Sequence, residues 1–303
     1  MSKFCNLHLH TDASLGDSVI KVPNLIDKLQ EYNEEYVAIT DHASTMNHYS
    51  LQKACKDTDI KPLFGNECYC KIDFDKPSNN NRYHLVLIAM NEVGLKNLRK
   101  LQRISVSDHF YRKPLTPHPL IFENAEGLFC STACSLSYIN NCFLNQQDEE
   151  AYDFFNKLLD NFGRDNVAVE LQYHYQYKEQ LFLNEKLIEM YDNTDAKWII
   201  NTFDSHFIED DDRILRKKIQ SISWKKNEED INDSLKSNCL GNDELCYEFG
   251  KKCDIDEDII KLCINNTHKI AEKCYFKPKE YGPIVPEFKF HREFKQIFCK
   301  EIY

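Results

Sequence analysis

The stretch FCNLHLHTDASLGD, residues 4–17, decides how the rest of the chain is read. It is a short apolar run ending in two histidines at alternate positions, followed by an aspartate seven residues after the second. In a strand, residues i and i+2 point to the same face, so His8 and His10 project side by side. Alone, an H-x-H is more often a pair of satisfied polar residues at a strand end. The sharper reading is a metal site, because neutral imidazoles suit zinc, manganese or iron.

Composition sets the bounds. A chain of 303 residues, 42% hydrophobic and 29% charged, has room for one large α/β domain or two smaller ones. Its longest apolar run, HLVLIAM (84–90), is strand-sized and far short of the roughly 18 residues of a membrane span. The N-terminal MSKFCNLH lacks the apolar core of a secretory signal. A cytoplasmic protein with no membrane partner is therefore expected. Thirteen cysteines, odd in number, scattered and without a C-x-x-C pair, read as reduced thiols rather than disulfides or a zinc finger. Net charge is −11, from 38 basic and 49 acidic residues, with no outstanding basic run. This argues against sequence-independent duplex binding, which depends on arrays of Lys and Arg. A site whose positive charge comes from metal ions stays open.

Short apolar runs alternate with stretches of helical period. The strand candidates are 4–9, 36–40, 61–70, 83–89, 127–133, 167–172 and 197–203, and amphipathic helices lie between most of them. Pro23 and Gly163 mark a helix start and a helix stop. This alternation predicts βα units and a largely parallel sheet, either a closed barrel or an open one. Polar helices follow from about residue 209, where EDDDR (209–213) reads as a charged first turn and 227–238 as a polar loop. The expected division is a domain over 1–280 and an extended tail over 281–303.

The informative feature is how the apolar runs end. The first ends in His8 and His10, the second in Asp41 and His42. Glu67 lies in the third and Cys134 follows the fifth. His174 follows the sixth, and Asp204 and His206 follow the seventh. His84 is the exception, at the start of its run. In α/β barrels and open α/β sheets the carboxyl ends of the strands carry the active site. Imidazoles, carboxylates and a thiol converging there point to zinc, manganese or iron rather than magnesium or calcium.

HLHTDASLGD, AITDHA, KACKDTDIKPLFGNECY, YHLVLIAMNEVGLKNLRKL, STAC, VELQYH and NTFDSH resemble, in order and spacing, the polymerase and histidinol phosphatase (PHP) domain. The likeness is strongest to the version at the N-terminus of bacterial DNA polymerase III alpha subunits. It runs from about residue 3 to 223, continues weakly through HKIAEKC, and stops where a polymerase domain would begin. The resemblance implies an α/β fold, a distorted seven-stranded (β/α) barrel with extra C-terminal helices. It also implies up to three divalent metal ions (Zn, Mn or Fe) held by nine residues. The first ion would take His8, His10, Glu67 and Asp204. The second would share Glu67 and add His84 and Cys134, and the third would take Asp17, His42 and His206. Asp204 and Glu67 are the catalytic candidates, with His174 expected to contact substrate phosphate or donate a proton. Asp41 is expected to orient a ligand rather than bind metal. Ser18 and Ala43 stand where the family usually has glycine. His48, His109, His118, His268 and His291 match no motif and read as surface or packed residues.

The leading expectation is a metal-dependent phosphoesterase acting on a nucleotide or a single-stranded nucleic-acid end, in the manner of a 3′-to-5′ exonuclease. The alternatives are a small-molecule phosphomonoesterase of the histidinol phosphatase type and a non-catalytic scaffold for a replication partner.

Overall fold

The computed structural model describes residues 4–72, 82–231, 235–279 and 282; the tail expected over 281–303 lies outside the described residues except for Gly282. In chain order the elements begin with α1 (Val22–Tyr32), β1 (Tyr36–Ile39), α2 (His48–Ala54), β2 (Lys61–Lys71), β3 (Tyr83–Ala89) and α3 (Glu92–Ser107). The short β4 (Phe110–Tyr111), β5 (Lys113–Pro114), β6 (Thr116–Pro117) and α4 (His118–Phe122) come next. Then follow β7 (Leu128–Ser131), α5 (Tyr138–Leu144), α6 (Asp148–Phe162), β8 (Val167–Gln172), α7 (Lys178–Asp192) and β9 (Trp198–Thr202). Three helices close the described chain: α8 (Asp210–Trp224), α9 (Asp243–Lys252) and α10 (Glu257–Cys274).

The sheet runs β1-β2-β3-β7-β8-β9, with β6 added to β2. It curls, because the first apolar run lies between its two ends: Asn6 bridges Val37, and Leu9 bridges Ser205 just after β9. That run forms these isolated bridges rather than the regular strand expected over 4–9. Most pairings are parallel, but β3 is antiparallel to both β2 and β7. This explains the exceptional placing of His84. In an antiparallel strand the first residues sit at the same edge as the last residues of its parallel neighbours, so His84 opens β3 where the other runs end.

Apolar side chains position this edge from below. Leu7, Ala38, Leu63, Val86, Ile88, Phe129 and Ile200 fill the inside of the curl, and Ile270, Ala271 and Cys274 of α10 pack into it. Each fully buried aliphatic side chain contributes about 1.5–3 kcal/mol. Helices α3, α5, α6 and α7 cover the outer face, and α1 and α2 cover β1. Helix α3 starts where Asn91 Oδ1 accepts from the Val93 and Gly94 amides. A Cβ on Gly94 would fall 1.8 Å from the Gly127 carbonyl oxygen, so only glycine lets α3 approach the start of β7 this closely.

The predicted helix after residue 209 begins with a capping box between Glu209 and Asp212, as its acidic first turn suggested. Its packing is unusual. Helix α8 buries Arg216 and Gln220 and turns Ile214 and Ile222 to solvent. No described helix is long and apolar enough to cross a membrane. Each described cysteine is free.

Candidate metal centre

Glu67, fully buried on β2, is the hub of the upper edge. Its Oε1 lies 3.2 Å from His8 Nε2 and 2.9 Å from His84 Nδ1, and its Oε2 lies 2.6 Å from His42 Nδ1 and 3.4 Å from His10 Nε2. Cys134 Sγ is 3.5 Å from Glu67 Oε1 and 3.2 Å from His84 Nδ1. Asp204 Oδ1 is 3.2 Å from His8 Nε2 and 3.0 Å from His10 Nε2. Asp17 Oδ2 is 3.2 Å from His42 Nε2 and 3.3 Å from His206 Nε2. All nine residues marked out by the sequence thus fall in one connected cluster.

Three backbone positions around this cluster are left-handed without being glycine: Ala43 (φ 42°), Ala133 (φ 59°) and Asp204 (φ 47°). Strain of this kind persists only where its surroundings enforce it. Here it turns the chain sharply at His42, Cys134 and Asp204. Ala43 therefore meets, at some cost, the backbone demand that glycine would meet freely. Ser18 does more than fill its position. Its Oγ lies 2.6 Å from the His10 carbonyl and 3.0 Å from that of His206, tying two ligand loops together.

The imidazoles are oriented from behind. His8 Nδ1 donates to Glu170 Oε1 at 2.6 Å. Thr202 Oγ1 also donates to Glu170 Oε1, and Ser131 Oγ to Oε2. His10 Nδ1 lies 3.0 Å from Ser14 Oγ, and that hydroxyl donates to Asp41 Oδ1 at 2.8 Å. His206 Nδ1 donates to the Asp204 carbonyl at 2.6 Å. In each case an acceptor behind Nδ1 fixes the tautomer and leaves the Nε2 lone pair facing inward, the arrangement that metal-binding histidines favour. Asp41 reaches His10 through Ser14. Glu170 was not anticipated. The only hint in the sequence is a charged residue inside the otherwise apolar run VAVELQ.

Asp17 is gripped on its other side by α8. Arg216 Nη2 and Gln220 Nε2 each donate to Asp17 Oδ1 at 2.8 Å, which accounts for the polar buried face of that helix.

Electrostatics keep the carboxylates and His10 ready to bind a cation. Against burial, the surrounding carboxylates raise His8 and His42, and burial raises Cys134, so a cation would displace protons there. Burial would raise the Glu67 carboxyl, but His84, His42 and His8 hold it well below the usual range. Asp204 is held low in the same way, against burial, by His8, His206 and His10. Burial, reinforced by His42 and His206, takes His10 down to about 3, so its ring is neutral at neutral pH. Among the described residues, six buried atoms of this cluster find no hydrogen-bond partner: Nε2 of His8, His10 and His206, His42 Nδ1, Glu67 Oε2 and Asp204 Oδ1. Buried polar atoms are rarely left unpaired, and here they face one another. Three groups, His8–His10–Asp204, His42–Glu67–His84 and His10–His42–His206, each bring their donor atoms within 4.8 Å. The residues present therefore fit divalent cations.

A cavity of 210 Å³ opens over this cluster, lined by His42, His84, Cys134, Asp204, His206 and His174 among others. His174 Nδ1 is 2.7 Å from Ser237 Oγ, and burial lowers the ring to about 4. A larger groove of 760 Å³ between α1 and α2 is lined by residues such as Lys21, Tyr49 and Lys53, with no histidine. Three of the unassigned histidines pack elsewhere. His48 is buried on the Gly65 carbonyl, His118 lies among Tyr138, Phe122 and Phe154, and His268 sits beside Tyr36. His291 lies outside the described residues. The acidic turn at 209–213 holds Arg213 and Lys236 through Asp210.

The PHP domain family matches residues 6–174. The DNA polymerase III subunit alpha of Borreliella burgdorferi is 32% identical over 309 residues, covering 98% of this chain and 26% of that protein. Its counterpart in Aquifex aeolicus is 34% identical over 237 residues, covering 75% of this chain and 20% of that protein. The chain thus spans about a quarter or less of the length of these relatives. A solved structure from Bifidobacterium adolescentis, described as a metal-dependent phosphoesterase, aligns with a TM-score of 0.44 at 14% identity, over 67% of this chain and 87% of that one.

Proposed function

The chain belongs to the PHP domain family, and from that premise we propose that it is a metal-dependent phosphoesterase, a hydrolase of nucleotides or single-stranded nucleic-acid ends. The observation that carries this reading is the convergence around Glu67 of imidazole and carboxylate donors whose inward atoms have no hydrogen-bond partner among the described residues. His8, His10, Glu67 and Asp204 would hold one cation, Glu67, His84 and Cys134 a second, and Asp17, His42 and His206 a third. The mixed donor set suits zinc, manganese or iron. Bound cations of this kind supply an activated water near neutral pH and a Lewis acid for a phosphoryl oxygen.

The chain's own residues do the rest. Glu170 and the Asp41–Ser14 pair hold the His8 and His10 rings in register, and Arg216 and Gln220 fix Asp17. Glu67 and Asp204 stay ionised inside a buried site and so would hold cations there. His174 lines the same cavity with Nδ1 engaged by Ser237, and we assign it to contact with substrate phosphate.

The similarity to DNA polymerase III alpha subunits supports a nucleic-acid substrate, a replication partner and a cytoplasmic setting. A second reading, a small-molecule phosphomonoesterase, is supported by the 210 Å³ cavity and the net charge of −11. A panel of oligonucleotides and phosphate monoesters, run on metal-defined protein with and without chelator, tests both. Degradation of single strands favours the first reading, and activity confined to monoesters favours the second. No hydrolysis by metal-loaded protein overturns both and leaves a scaffold role.

A further inference from the structure

Beside the donor cluster, against His42 and His84 of the cavity lining, one aromatic ring gathers positive charge. Tyr69, two residues beyond Glu67, stacks on His42 with centroids 5.3 Å apart and 15° between planes, and its ring lies 5.2 Å from that of His84. Arg82, just ahead of β3, places its guanidinium carbon 6.0 Å from the Tyr69 centroid, and Lys113 of β5 places Nζ 5.4 Å from the same centroid. Among the described residues neither cation has a carboxylate within ion-pair distance. Burial and the Arg82 charge together push Lys113 below its usual range. Asp17 offsets part of this repulsion from a distance, and an anion bound between the two cations at Tyr69 would relieve the rest.

The segment that delivers Lys113 is a hairpin. Phe110 pairs with Pro114 and Tyr111 with Lys113, around Arg112 in the left-handed region (φ 59°). Its two aromatic rings face solvent, Phe110 58% and Tyr111 39% exposed, and the Arg112 guanidinium carbon lies 5.9 Å from the Tyr111 ring. The base of the hairpin is fixed to Tyr69 and to β2. Leu115 packs with Tyr69 and Ala43, and β6 pairs with Cys70 and Lys71 of β2. Cations followed outward by exposed rings form the pattern that grips a single strand, phosphates on the charges and bases on the rings. A lone phosphate monoester would leave the hairpin's rings and Arg112 unused.

We propose that Arg82 and Lys113 bind the phosphate next to the scissile one in a single-stranded nucleic acid, and that Phe110 and Tyr111 stack on its bases. The proposal rests on the phosphoesterase reading of the cleft, and the test measures binding without turnover so that the two can fail separately. A short fluorescein-labelled oligothymidylate with phosphorothioate linkages, which resist hydrolysis, is titrated with the full manganese-loaded chain across a range of salt, and binding is followed by anisotropy.

The unaltered chain is expected to bind this strand and to bind the matching duplex more weakly. Arg82→Ala with Lys113→Ala should weaken binding at least about tenfold at low salt. It should also flatten the slope of log affinity against log salt by about 1.4, roughly 0.7 for each cation withdrawn from a single strand's phosphates. Phe110→Ala with Tyr111→Ala should weaken binding at least about fivefold and leave the slope alone. Arg82→Lys with Lys113→Arg should restore the slope, which separates lost charge from lost folding. An unaltered slope after removal of both cations, equal affinity for duplex, or no binding by the unaltered chain would overturn the proposal. Binding of this form by a chain that hydrolyses neither strands nor monoesters would support it while overturning the phosphoesterase reading.

Discussion

The Glu170 carboxylate lies 2.6 Å from His8 Nδ1, and both side chains are fully buried. A carboxylate can only accept here, so Nδ1 carries a proton and Nε2 is the atom turned toward Glu67 and Asp204. Thr202 and Ser131 hold the carboxylate in turn. Glu170 thus acts on a cation through His8 without touching it.

Glu170→Gln keeps the shape but removes the charge that favours this tautomer. Losing such a partner typically costs 10–100-fold in metal affinity. Titration of chelator-treated protein with zinc or manganese, followed by calorimetry, should show a loss of that size with the far-ultraviolet dichroism unchanged. Equal affinities in variant and parent would mean that Glu170 only packs.

Cation binding should also hold the upper edge of the sheet together, since Asp17, Glu67 and Asp204 crowd there with Asp41 behind them. Linkage gives about 4 kcal/mol per site at a thousandfold excess over Kd. At about 2–4 °C per kcal/mol for a domain slightly smaller than this, removal of one tightly bound ion should lower Tm by about 10 °C. Scanning calorimetry of chelated and reconstituted protein measures this directly. Coincident transitions would place the cations at the periphery or nowhere.

His118 provides a pH prediction independent of the metal centre. It is buried against Tyr138, Phe122 and Phe154, neither ring nitrogen has a partner among the described residues, and burial lowers it to about 3. The unfolded chain takes up its proton near the ordinary histidine value of about 6.5. Between these values the unfolded state binds more protons, so this contribution to stability is complete above about pH 6.5 and falls as pH drops toward 3. His118→Leu removes that slope. Relative to the parent, the variant should gain about 2 kcal/mol between pH 7 and pH 5, at up to 1.4 kcal/mol per pH unit. Parallel urea-unfolding curves for the two proteins across that range would contradict the burial argument.

The legible parts of the site were those written into single strand ends. Each of His8, His10, His42, Asp204 and His206 closes an apolar run, and a parallel sheet brings such ends together. His84 broke the pattern only because strand direction is not readable from an apolar run, and β3 proves antiparallel. Glu170 was hidden for a different reason. Its partners His8, Ser131 and Thr202 are 162, 39 and 32 residues away, so no local spacing could mark it. Arg82 and Lys113 meet at Tyr69 only because β6 pairs with β2, and the two-residue strands of that hairpin are too short to leave a periodic signal. The first run makes bridges instead of a strand because it spans the two ends of a curled sheet.

In the proposed function Asp204, shared between the His8 and His10 side chains, binds a cation that hydrolysis requires. Asp204→Asn keeps the size of the side chain and withdraws one ligand charge. The most direct measurement is therefore steady-state phosphate-ester hydrolysis by parent and variant, each loaded with zinc or manganese and each repeated in chelator. Activity is expected in the loaded parent, none in chelator, and less than about a tenth of parental turnover in the variant. A variant that turns over at more than about a tenth of the parental rate, or a parent indifferent to chelation, would contradict it.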